Sequence, residues 1–504
     1  MTSSPLRREV DVAVIGGGPA GAAAATRLSR WGYSVAVITK PNSPEVTLGE
    51  SLPPSIMKPL IAVGLERAVE GKGFYRSQGN TVWWGGGNGR SEPFASGGQG
   101  YQVARHVFDQ ALLAEATAAG AAVLAGAVVR DVELERSPAQ VSYQTVEGQH
   151  HVLDATMVLD CSGRSGVIAR RGHRRLDSHQ ASIALVGMWS RAGAWSVPDP
   201  SHTLVESYAD GWGWSVPVSP SVRYVAVMID PRTTSLSKTG DTTSVYQGEL
   251  NKTVQLLRMV RGAWLMRKPW GRDASVYSAS KFGGSGFLLV GDAASSLDPL
   301  SSFGVRKALM SAWLAAVVTR TKFRRSEMET AALDLFTRHE TQVFEASRKL
   351  SASHSSDVGT ETAHPFWVNR SDLPETPLQA GDHEFTEVND DSLIHDAFES
   401  LRNASSIDLR LTAAVRLTKT PAVRNDEVTL EEAVVVAGWS VTEKGLCFLR
   451  GVNVPLLVDI AGTYSQVPDL FEAYNRSAYP VTLEQFLRVL SVLIAKGALR
   501  NLAE

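Results

Sequence analysis

Residues 10–40 read VDVAVIGGGPAGAAAATRLSRWGYSVAVITK, and this stretch decides the fold of the N-terminal part of the chain. An apolar strand pattern at Val10–Val14 runs into a glycine-rich turn and then into an alanine-rich helical pattern. A second apolar strand pattern follows at Val35–Ile38. A strand, a glycine turn, a helix and a strand over this length are typical of a dinucleotide-binding βαβ unit.

The residues of the turn fit that unit one by one. Gly16 allows the tight turn, Gly18 lets backbone approach a pyrophosphate, and Gly21 lets the helix pack close to the strand. Pro19 and Ala20 begin the helix, whose first N–H groups are free to bind phosphate. The alternative is a purely structural glycine-rich turn that binds no ligand. The order of strand, turn, helix and strand argues against this alternative.

The end of the second strand departs from the usual pattern. An Asp or Glu normally stands there to bind a ribose hydroxyl, whereas this chain has Thr39 and Lys40. We therefore expect Thr39 and Lys40 to lie at the cofactor and the adenosine to be held loosely or by other contacts.

The bulk properties are those of a folded soluble protein of two to four domains. The chain has 504 residues, 43% hydrophobic and 20% charged, with a net charge of −2 and two cysteines. No polybasic block suggests a nucleic acid or an anionic membrane, and no apolar run is long enough to cross a bilayer. Two distant cysteines suggest neither a disulfide framework nor a metal site. The N-terminus lacks the apolar core of a secretory signal, so we expect a cytoplasmic protein.

The pattern along the chain predicts an α/β protein built from three parts. A dinucleotide-binding, Rossmann-like domain is expected at 1–180 and 281–370, interrupted by an antiparallel-sheet substrate domain at 181–280. Residues 352–390 are rich in Ser, Thr, Asp, His and Pro and are expected to form loops, with a linker at 371–390. Residues 391–504 show helical patterns, with a capping pair at Thr482 and Gln485, and predict a mostly helical C-terminal domain of winged-helix-like shape.

Several short motifs, in order, resemble the flavin-dependent halogenase branch of the aromatic-hydroxylase-like flavoproteins, which share the p-hydroxybenzoate-hydroxylase or glutathione-reductase type of fold. The resemblance covers roughly residues 8–370. The motifs are Gly16-x-Gly18-x-x-Gly21, Gly49-Glu50-Ser51, Asp160-x-Ser162-Gly163-Arg164, Trp212-x-Trp214-Ser-Val-Pro217, Gly291-Asp292, Asp298-Pro299 and the segment around Trp367.

This resemblance implies FAD as the cofactor and a set of residues that bind it. Arg105 would pair with an FAD phosphate, with a surface ion pair as the alternative role. Asp292 would bind the ribitol chain, with a helix N-cap as its alternative. The loop from Pro299 to Gly304 would lie against the flavin ring. The implied cofactor-binding residues are Gly16, Gly18, Pro19, Ala20, Gly21, Thr39, Lys40, Glu50, Ser51, Arg105, Gly291, Asp292, Pro299, Gly304 and Val305.

Two departures from the halogenase pattern bear on the reaction. Halogenases of this branch use a lysine on a segment resembling GFxxKxGxxxxWG, and the ungapped match in residues 73–85 places Ser77 at that position. A serine hydroxyl neither forms a haloamine nor presents an ammonium. The halide loop resembles DPxxSSG in the family, and here Phe303 replaces the hydroxyl residue before Gly304. Substitution of the missing lysine by Lys72 or Arg76 through a changed loop path is the weaker alternative.

What the resemblance then implies is an FAD-dependent monooxygenase that hydroxylates an electron-rich aromatic ring through a flavin C4a-hydroperoxide. Ser77, Trp83, Trp212, Trp214 and Phe303 are the expected substrate-pocket residues, and no metal is expected. The chain looks most like flavoproteins that hydroxylate a tryptophan residue of a precursor protein during tryptophylquinone formation.

The expected partners are the aromatic substrate, as a small molecule or a peptide, together with O2 and NAD(P)H or a flavin reductase as electron source. The alternatives are a halogenase of a phenol, pyrrole or tryptophan-type substrate, a saturating or desaturating flavin enzyme such as a reductase of isoprenoid chains, and a non-enzymatic flavoprotein chaperone. The sequence identifies no catalytic base, and His106 and His364 have no assigned role.

Overall fold

The computed structural model describes residues 9–41, 47–176, 181–234, 241–301, 303–371 and 392–503. The chain divides into two compact units. The first comprises Met1–Phe323 and Phe336–Pro374, and the second comprises Arg324–Leu335 and Glu375–Glu504. No helix in the described ranges is both long enough and apolar enough to span a membrane.

The first unit is built on an eight-stranded sheet, which we call the FAD sheet. Its central strands Glu9–Ile15, Val35–Thr39, Ala122–Ala125, His150–Asp160 and Phe287–Leu289 are parallel neighbours, as a Rossmann-like fold requires. Antiparallel strands Ala127–Glu133, Ala139–Thr145 and Gly283–Gly284 complete it. Val12, Ala13 and Val14 are fully buried because parallel strands are covered on both faces.

The helices are numbered in chain order. The helices of the first unit are α1 Pro19–Arg30, α2 Met57–Val63, α3 Arg105–Ala118, α4 Thr242–Leu250, α5 Gln255–Val260, α6 Gly304–Arg324, α7 Glu329–Thr362 and α8 Pro365–Ser371. The last residue of α6 and the first residues of α7 are assigned to the second unit. The four alanines Ala22–Ala25 of α1 are fully buried, so the small side chains bring this helix close to the sheet.

A second eight-stranded sheet, the roof sheet, forms the predicted substrate part. Its strands follow the order Trp264–Leu265, Ile183–Ser190, Val222–Ile229, Gly211–Pro217, Thr203–Tyr208, Gly79–Trp83 and Arg90–Pro93, with Trp270–Asp273 also paired to Ile183–Ser190. Two strands therefore come from residues 79–93, outside the predicted range of 181–280. Gly79–Trp83 joins the sheet by a parallel pairing with Thr203–Tyr208, and the other pairings are antiparallel.

The roof sheet is packed on both of its faces. One apolar cluster contains Leu185, Leu204, Val225 and Val227 together with residues of α4 and α5. The other contains Ala184, Val186, Trp212, Ala226 and the aromatic residues of α8. Alternate residues of each strand thus enter different clusters, as strand geometry dictates.

Two small sheets complete the first unit. One pairs Gly49–Leu52, Gly100–Ala104 and Tyr75–Ser77, and the other pairs Arg174–Leu176, Tyr277–Ala279 and Ser295–Ser296.

Part of the stretch predicted as loops is helical. Residues 352–362 continue α7, and α8 covers Pro365–Ser371. The local Ser, Thr and Asp content disfavours a helix, but Val358, Phe366 and Trp367 are buried in the roof-sheet core, and this packing outweighs propensity. The predicted linker at 371–390 lies, apart from Ser371, outside the described residues.

The second unit has its own apolar core, formed by residues such as Leu457, Leu470, Phe486 and Leu490. Its helices are α9 Ser392–Asn403, α10 Val454–Ile460, α11 Val467–Asn475 and α12 Leu483–Ala495, and its strands are Leu409–Leu411, Val415–Arg424, Glu427–Val436, Phe448–Leu449, Val452–Asn453 and Leu499–Asn501.

The predicted helical character of this region is confirmed, and a long hairpin formed by Val415–Arg424 and Glu427–Val436 adds strands that the sequence reading missed. The Thr482–Gln485 pair forms a capping box at the start of α12. The winged-helix-like shape stays a prediction.

Candidate active site

One large cleft lies in the first unit, with a volume of about 1060 Å³. It is walled by the loops at the carboxyl ends of the FAD-sheet strands, by α3, and by one face of the roof sheet. The predicted residues that line it are Gly16, Gly18, Pro19, Ala20, Thr39, Lys40, Glu50, Ser51, Arg105, Trp212, Trp214, Asp292, Pro299, Phe303, Gly304 and Val305. Residues that are up to 289 positions apart in the sequence, Gly16 and Val305, therefore line one cleft.

We call Gly16, Gly18, Pro19, Ala20, Thr39 and Lys40 the glycine-turn wall. Gly16 has φ +107°, and an added Cβ would lie 2.4 Å from the Cys161 carbonyl oxygen. A Cβ at Gly21 would lie 1.8 Å from the Gly16 carbonyl oxygen, so this glycine supports the turn from behind. At Gly18 an added Cβ meets nothing within 4 Å, which leaves the backbone open to a ligand.

The start of α1 has the features of a phosphate site. Gly18 is its N-cap and offers no side-chain cap, and Pro19 follows at the first helical position. The N–H groups at this end therefore face the cleft without a protein side chain to satisfy them. A helix N-terminus in this state favours an anion, and a pyrophosphate fits the open backbone at Gly18.

Arg105 stands at the start of α3 between two carboxylates. Its Nη1 lies 3.2 Å from Oε2 of Glu50, and its Nε lies 3.0 Å from Oδ1 of Asp109. Burial raises the pKa of Glu50, and the nearby Arg105 charge opposes that rise. The contacts use one hydrogen on each of the three guanidinium nitrogens, so Nη1 and Nη2 each keep a hydrogen that could reach a phosphate.

Helix α3 contributes lining residues that the sequence reading missed. His106, Asp109, Gln110 and Leu113 all face the cleft. Asp109 lies four residues after Arg105, the spacing of a helical ion pair, and this was the available signal. The buried Nδ1 of His106 has no hydrogen-bond partner among the described residues, so it is available to a ligand.

The Asp160-x-Ser-Gly-Arg motif forms a second turn on the cleft. Asp160 organises it, because its carboxylate accepts hydrogen bonds from the Ser162 hydroxyl at 2.6 Å and the Ile168 N–H at 2.7 Å. Arg164 lines the cleft, donating to the Ser275 carbonyl at 2.8 Å and pairing with Asp273 at 3.0 Å.

The Gly291–Asp292 turn lies beside this motif. Asp292 sits within the short helical turn Gly291–Ala293 and not at the start of an α-helix, because α6 begins at Gly304. Its side chain is 41% exposed and lines the cleft. A carboxylate presented in this way can accept hydrogen bonds from hydroxyl groups such as those of a ribitol chain.

The roof sheet supplies an aromatic wall, which we call the tryptophan wall and which comprises Ala184, Val205, Trp212, Trp214 and Val216. The rings of Trp212 and Trp214 have centroids 5.1 Å apart, and Trp84 packs behind Trp212 at 6.3 Å. These contacts hold the indoles rigidly.

Phe303 stands beside the tryptophan wall and is 37% exposed. The guanidinium of Arg306 lies 5.5 Å from its ring. The neighbouring Ser302, within the predicted halide loop, is outside the described residues.

Two predicted pocket residues lie elsewhere. Ser77 is fully buried, donates to the Gly79 carbonyl at 3.3 Å and is absent from the lining of the cleft. Trp83 belongs to the Leu204–Val227 cluster, on the opposite face of the roof sheet from Trp212. The reason is the pleat: Val82 pairs with Val205 of the tryptophan wall, so its neighbour Trp83 points to the other face.

The two remaining sequence candidates have structural roles. Trp367 is fully buried and donates to the Tyr208 carbonyl at 3.0 Å. Nδ1 of His364 accepts the Phe366 N–H at 3.1 Å and so caps α8. Across the described ranges, no group of His, Cys, Asp and Glu has the arrangement to hold a metal ion.

The comparison with known families decides the placement of this chain. The profile of a family described as "FAD binding domain", FAD_binding_3, matches residues 9–322. The chain belongs to this family. The predictions of a Rossmann-like FAD fold, of FAD as cofactor and of an FAD-dependent oxidoreductase are thereby confirmed.

Among characterised relatives, the FAD_binding_3 chain is 31% identical over 325 residues to a tryptophan 2-halogenase of Chondromyces crocatus. The match covers 63% of this chain and 62% of that protein. It is 28% identical over 340 residues to a 1H-pyrrole-2-carbonyl-[peptidyl-carrier protein] chlorinase of Pseudomonas fluorescens, covering 61% of this chain and 75% of that one. The chain is therefore similar to flavin-dependent halogenases, the branch that the motifs resemble.

Two solved structures match almost the whole length. The flavin-dependent halogenase CmlS has a TM-score of 0.79 at 21% identity, covering 98% of this chain and 96% of its own. The peptidyl tryptophan dihydroxylase QhpG has a TM-score of 0.69 at 24% identity, covering 97% and 99%. At these identities the two structures establish the fold.

Proposed function

We propose that this protein is an FAD-dependent monooxygenase that hydroxylates an electron-rich aromatic ring. The observation that carries the proposal is that no described residue of the cleft lining outside the glycine-turn wall is a lysine. Among the described lining residues the one lysine is Lys40, which belongs to the glycine-turn wall. Position 77, where the halogenase lysine is expected, holds a buried serine that does not reach the cleft.

The residues of the glycine-turn wall would hold the dinucleotide part of FAD. The N-terminus of α1 and the free hydrogens of Arg105 serve its phosphates, and the Asp292 carboxylate serves the hydroxyl groups of its ribitol chain. Bound and reduced FAD would supply the oxygen-activating chemistry. Electrons would come from NAD(P)H directly or from a separate flavin reductase.

The tryptophan wall would orient the substrate ring and exclude water. Trp212 and Trp214 offer large, rigid aromatic faces against which an indole or phenol can stack. Val205, Val216 and Phe303 add apolar surface beside them. A water-poor pocket protects a reactive oxygen species from decay before it meets the ring.

For the substrate we favour a tryptophan residue within a precursor peptide. Support comes from the fold shared with QhpG, whose described substrate is a peptidyl tryptophan, over 97% of this chain. CmlS shares the fold to the same extent, so the C-terminal unit alone does not select a peptide. The cleft, at about 1060 Å³, exceeds the usual range of about 300–1,000 Å³ for one ligand and leaves room for a ring beside FAD.

Halogenation of a phenol, pyrrole or tryptophan-type substrate is the second candidate. The 31% identity to a tryptophan 2-halogenase favours it. It requires a lysine or an equivalent ammonium at the substrate ring, and the described part of the tryptophan wall offers none.

Product mass spectrometry tests the proposal. The FAD-loaded protein would be incubated with NADH, a flavin reductase and 18O2, with and without bromide, and offered free tryptophan, phenol and a tryptophan-containing peptide. We expect labelled oxygen in the peptide product, independent of bromide. Label in free tryptophan or phenol alone would support hydroxylation but overturn the peptide assignment. A bromine isotope pattern would establish the halogenase instead.

A pair of variants tests the role of the tryptophan wall. Trp214→Phe changes a residue that lines the cleft, and Trp84→Phe changes one that packs behind the wall. We expect Trp214→Phe to lower the fraction of consumed O2 that appears in product, while Trp84→Phe keeps that fraction. Equal loss in both would contradict a direct contact of Trp214 with the substrate.

A further inference from the structure

Lysine 307 is a buried cation that the proposed reaction does not use. It is the fourth residue of α6, and its side chain is only 2% exposed. The stretch that follows it, ALMSAWLAAVV at 308–318, is apolar apart from Ser311. Burying an ammonium is unfavourable unless specific partners compensate it, so its partners indicate its role.

Those partners belong to the turn that carries Asp292. The Nζ of Lys307 donates to the Gly291 carbonyl at 3.0 Å and also to the Ser295 carbonyl. It lies 4.0 Å from Oδ1 of Asp292, which is close enough for an ion pair. Lys307 therefore binds the two ends of the 291–295 segment and partly neutralises the carboxylate between them.

The same turn is fixed by further side chains below it. The Gly291 N–H donates to Oγ of Ser311, one helical turn after Lys307, at 2.9 Å. Ser311 in turn is hydrogen-bonded to Glu340 of α7. The Tyr277 hydroxyl donates to the Asp292 carbonyl at 2.7 Å. We call Tyr277, Lys307, Ser311 and Glu340 the anchor residues.

The charges around Lys307 balance within the first unit. Burial lowers the pKa of Lys307, and the negative charges of Asp292 and Glu340 oppose this. Burial likewise raises the pKa of Glu340, and Lys307 opposes that rise. Arg164 is the other cation that acts on Lys307. The positive charge of Lys307 is thus compensated by Asp292 of the turn and by Glu340 of α7.

We propose that Lys307 is a positioning residue for FAD: with the other anchor residues it fixes the Gly291–Ser295 turn so that the Asp292 carboxylate faces the cofactor. Lys307 itself is absent from the lining of the cleft, whereas Asp292, whose Oδ1 lies 4.0 Å from the Lys307 Nζ, lines it. The inference concerns cofactor affinity and is independent of the reaction assigned above.

Equilibrium binding of FAD to apoprotein, followed by quenching of flavin fluorescence, tests this. Lys307→Met keeps the apolar stem and removes the ammonium, which leaves two buried carbonyls without that donor. We expect the Kd for FAD to rise about tenfold or more. Ser311→Ala, a milder change, should raise Kd in the same direction by a smaller factor.

The matched control is Thr319→Val, on the same helix. Thr319 is also fully buried, and its hydroxyl bonds only to the helix itself, at the Ala315 carbonyl, among the described contacts. We expect this variant to keep the wild-type Kd even if its melting temperature falls. An unchanged Kd in Lys307→Met, or an equal loss in Thr319→Val, would overturn the proposal.

A double-variant cycle with Asp292→Asn adds a second readout. If Lys307 acts through the turn, its removal should change FAD affinity less when Asp292 is already an amide. Strict additivity of the two changes would contradict the assignment. Should Lys307→Met fail to fold, Ser311→Ala and its cycle with Asp292→Asn carry the same test. Because no substrate or O2 is present, the result does not depend on the proposed hydroxylation.

Discussion

The glycine-turn wall and the tryptophan wall face the same cleft but were predictable to different degrees. The glycine-turn wall comes from one βαβ unit within residues 16–40, and every predicted residue of that unit except Gly21 lines the cleft. The predicted aromatic pocket was assembled from distant segments, and Ser77 and Trp83 lie outside it. The positions of the glycine-turn residues follow from local backbone geometry and can therefore be predicted from the sequence. The positions of Ser77 and Trp83 depend on strand pairing between distant segments, which the local sequence does not specify.

The largest effect is expected on the glycine-turn side. Gly21→Val places a side chain where a Cβ would already be 1.8 Å from the Gly16 carbonyl oxygen. We expect loss of about 4 kcal/mol or more of folding free energy, because backbone must shift. Thermal denaturation and soluble yield would measure it. Gly18→Ala is the matched control, since its Cβ meets nothing within 4 Å. It should fold normally yet bind FAD more weakly.

Ser77→Lys tests the predicted aromatic pocket, in contrast to the glycine-turn wall. The substitution restores the halogenase residue by type, but position 77 is fully buried and away from the cleft. We expect a loss of stability of about 3–5 kcal/mol from an unpaired buried ammonium, and no halogenated product. Denaturant unfolding would measure the loss, with Ser77→Ala as a control that changes stability by about 1 kcal/mol or less. A stable Ser77→Lys variant that brominates tryptophan would contradict the placement of position 77 outside the substrate pocket.

Arg105→Met removes the cation between Glu50 and Asp109. We expect a loss of about 1–3 kcal/mol, less than for a fully buried pair because the side chain keeps 27% exposure. Burial raises the pKa of Glu50, and without Arg105 that rise is unopposed. The contribution of Glu50 to the free energy of unfolding should therefore be largest at low pH. It should fall as the pH increases through the raised pKa, more steeply than in wild type. Urea unfolding at about pH 5 and pH 8 measures this, and adding Glu50→Gln should remove the extra slope.

The smallest effect is expected at Phe303. Phe303→Ser restores a hydroxyl before Gly304, and the ring is already 37% exposed. We expect a stability change of about 1 kcal/mol or less and no bromide-dependent product, because the tryptophan wall still lacks an ammonium. Product mass spectrometry with bromide checks this. A brominated product would show that this position alone had excluded halide chemistry.

Particular residues show which features the local sequence could predict and which depended on long-range contacts. Gly16, Gly18 and Gly21 follow from covalent geometry within six residues. The face on which Trp83 lies depends on its pairing with residues 203–208, more than a hundred positions away, which no local pattern specifies. The helix through residues 352–362 depends on buried contacts that override weak propensity. Lys307 directly precedes the apolar stretch 308–318, which is a signal in the sequence, but the pattern does not show which groups compensate its charge.

The origin of the roof sheet has a consequence for engineering. Strands Gly79–Trp83 and Arg90–Pro93 enter that sheet from within the N-terminal half of the FAD-binding segment. A chimera that exchanges residues 181–280 alone would leave the edge of the donor sheet without its two partner strands. Grafts that alter substrate choice should therefore transfer residues 79–93 together with 183–273, as two segments exchanged at once. The same linkage means that homologous recombination between relatives would seldom exchange this substrate-facing part in a functional form.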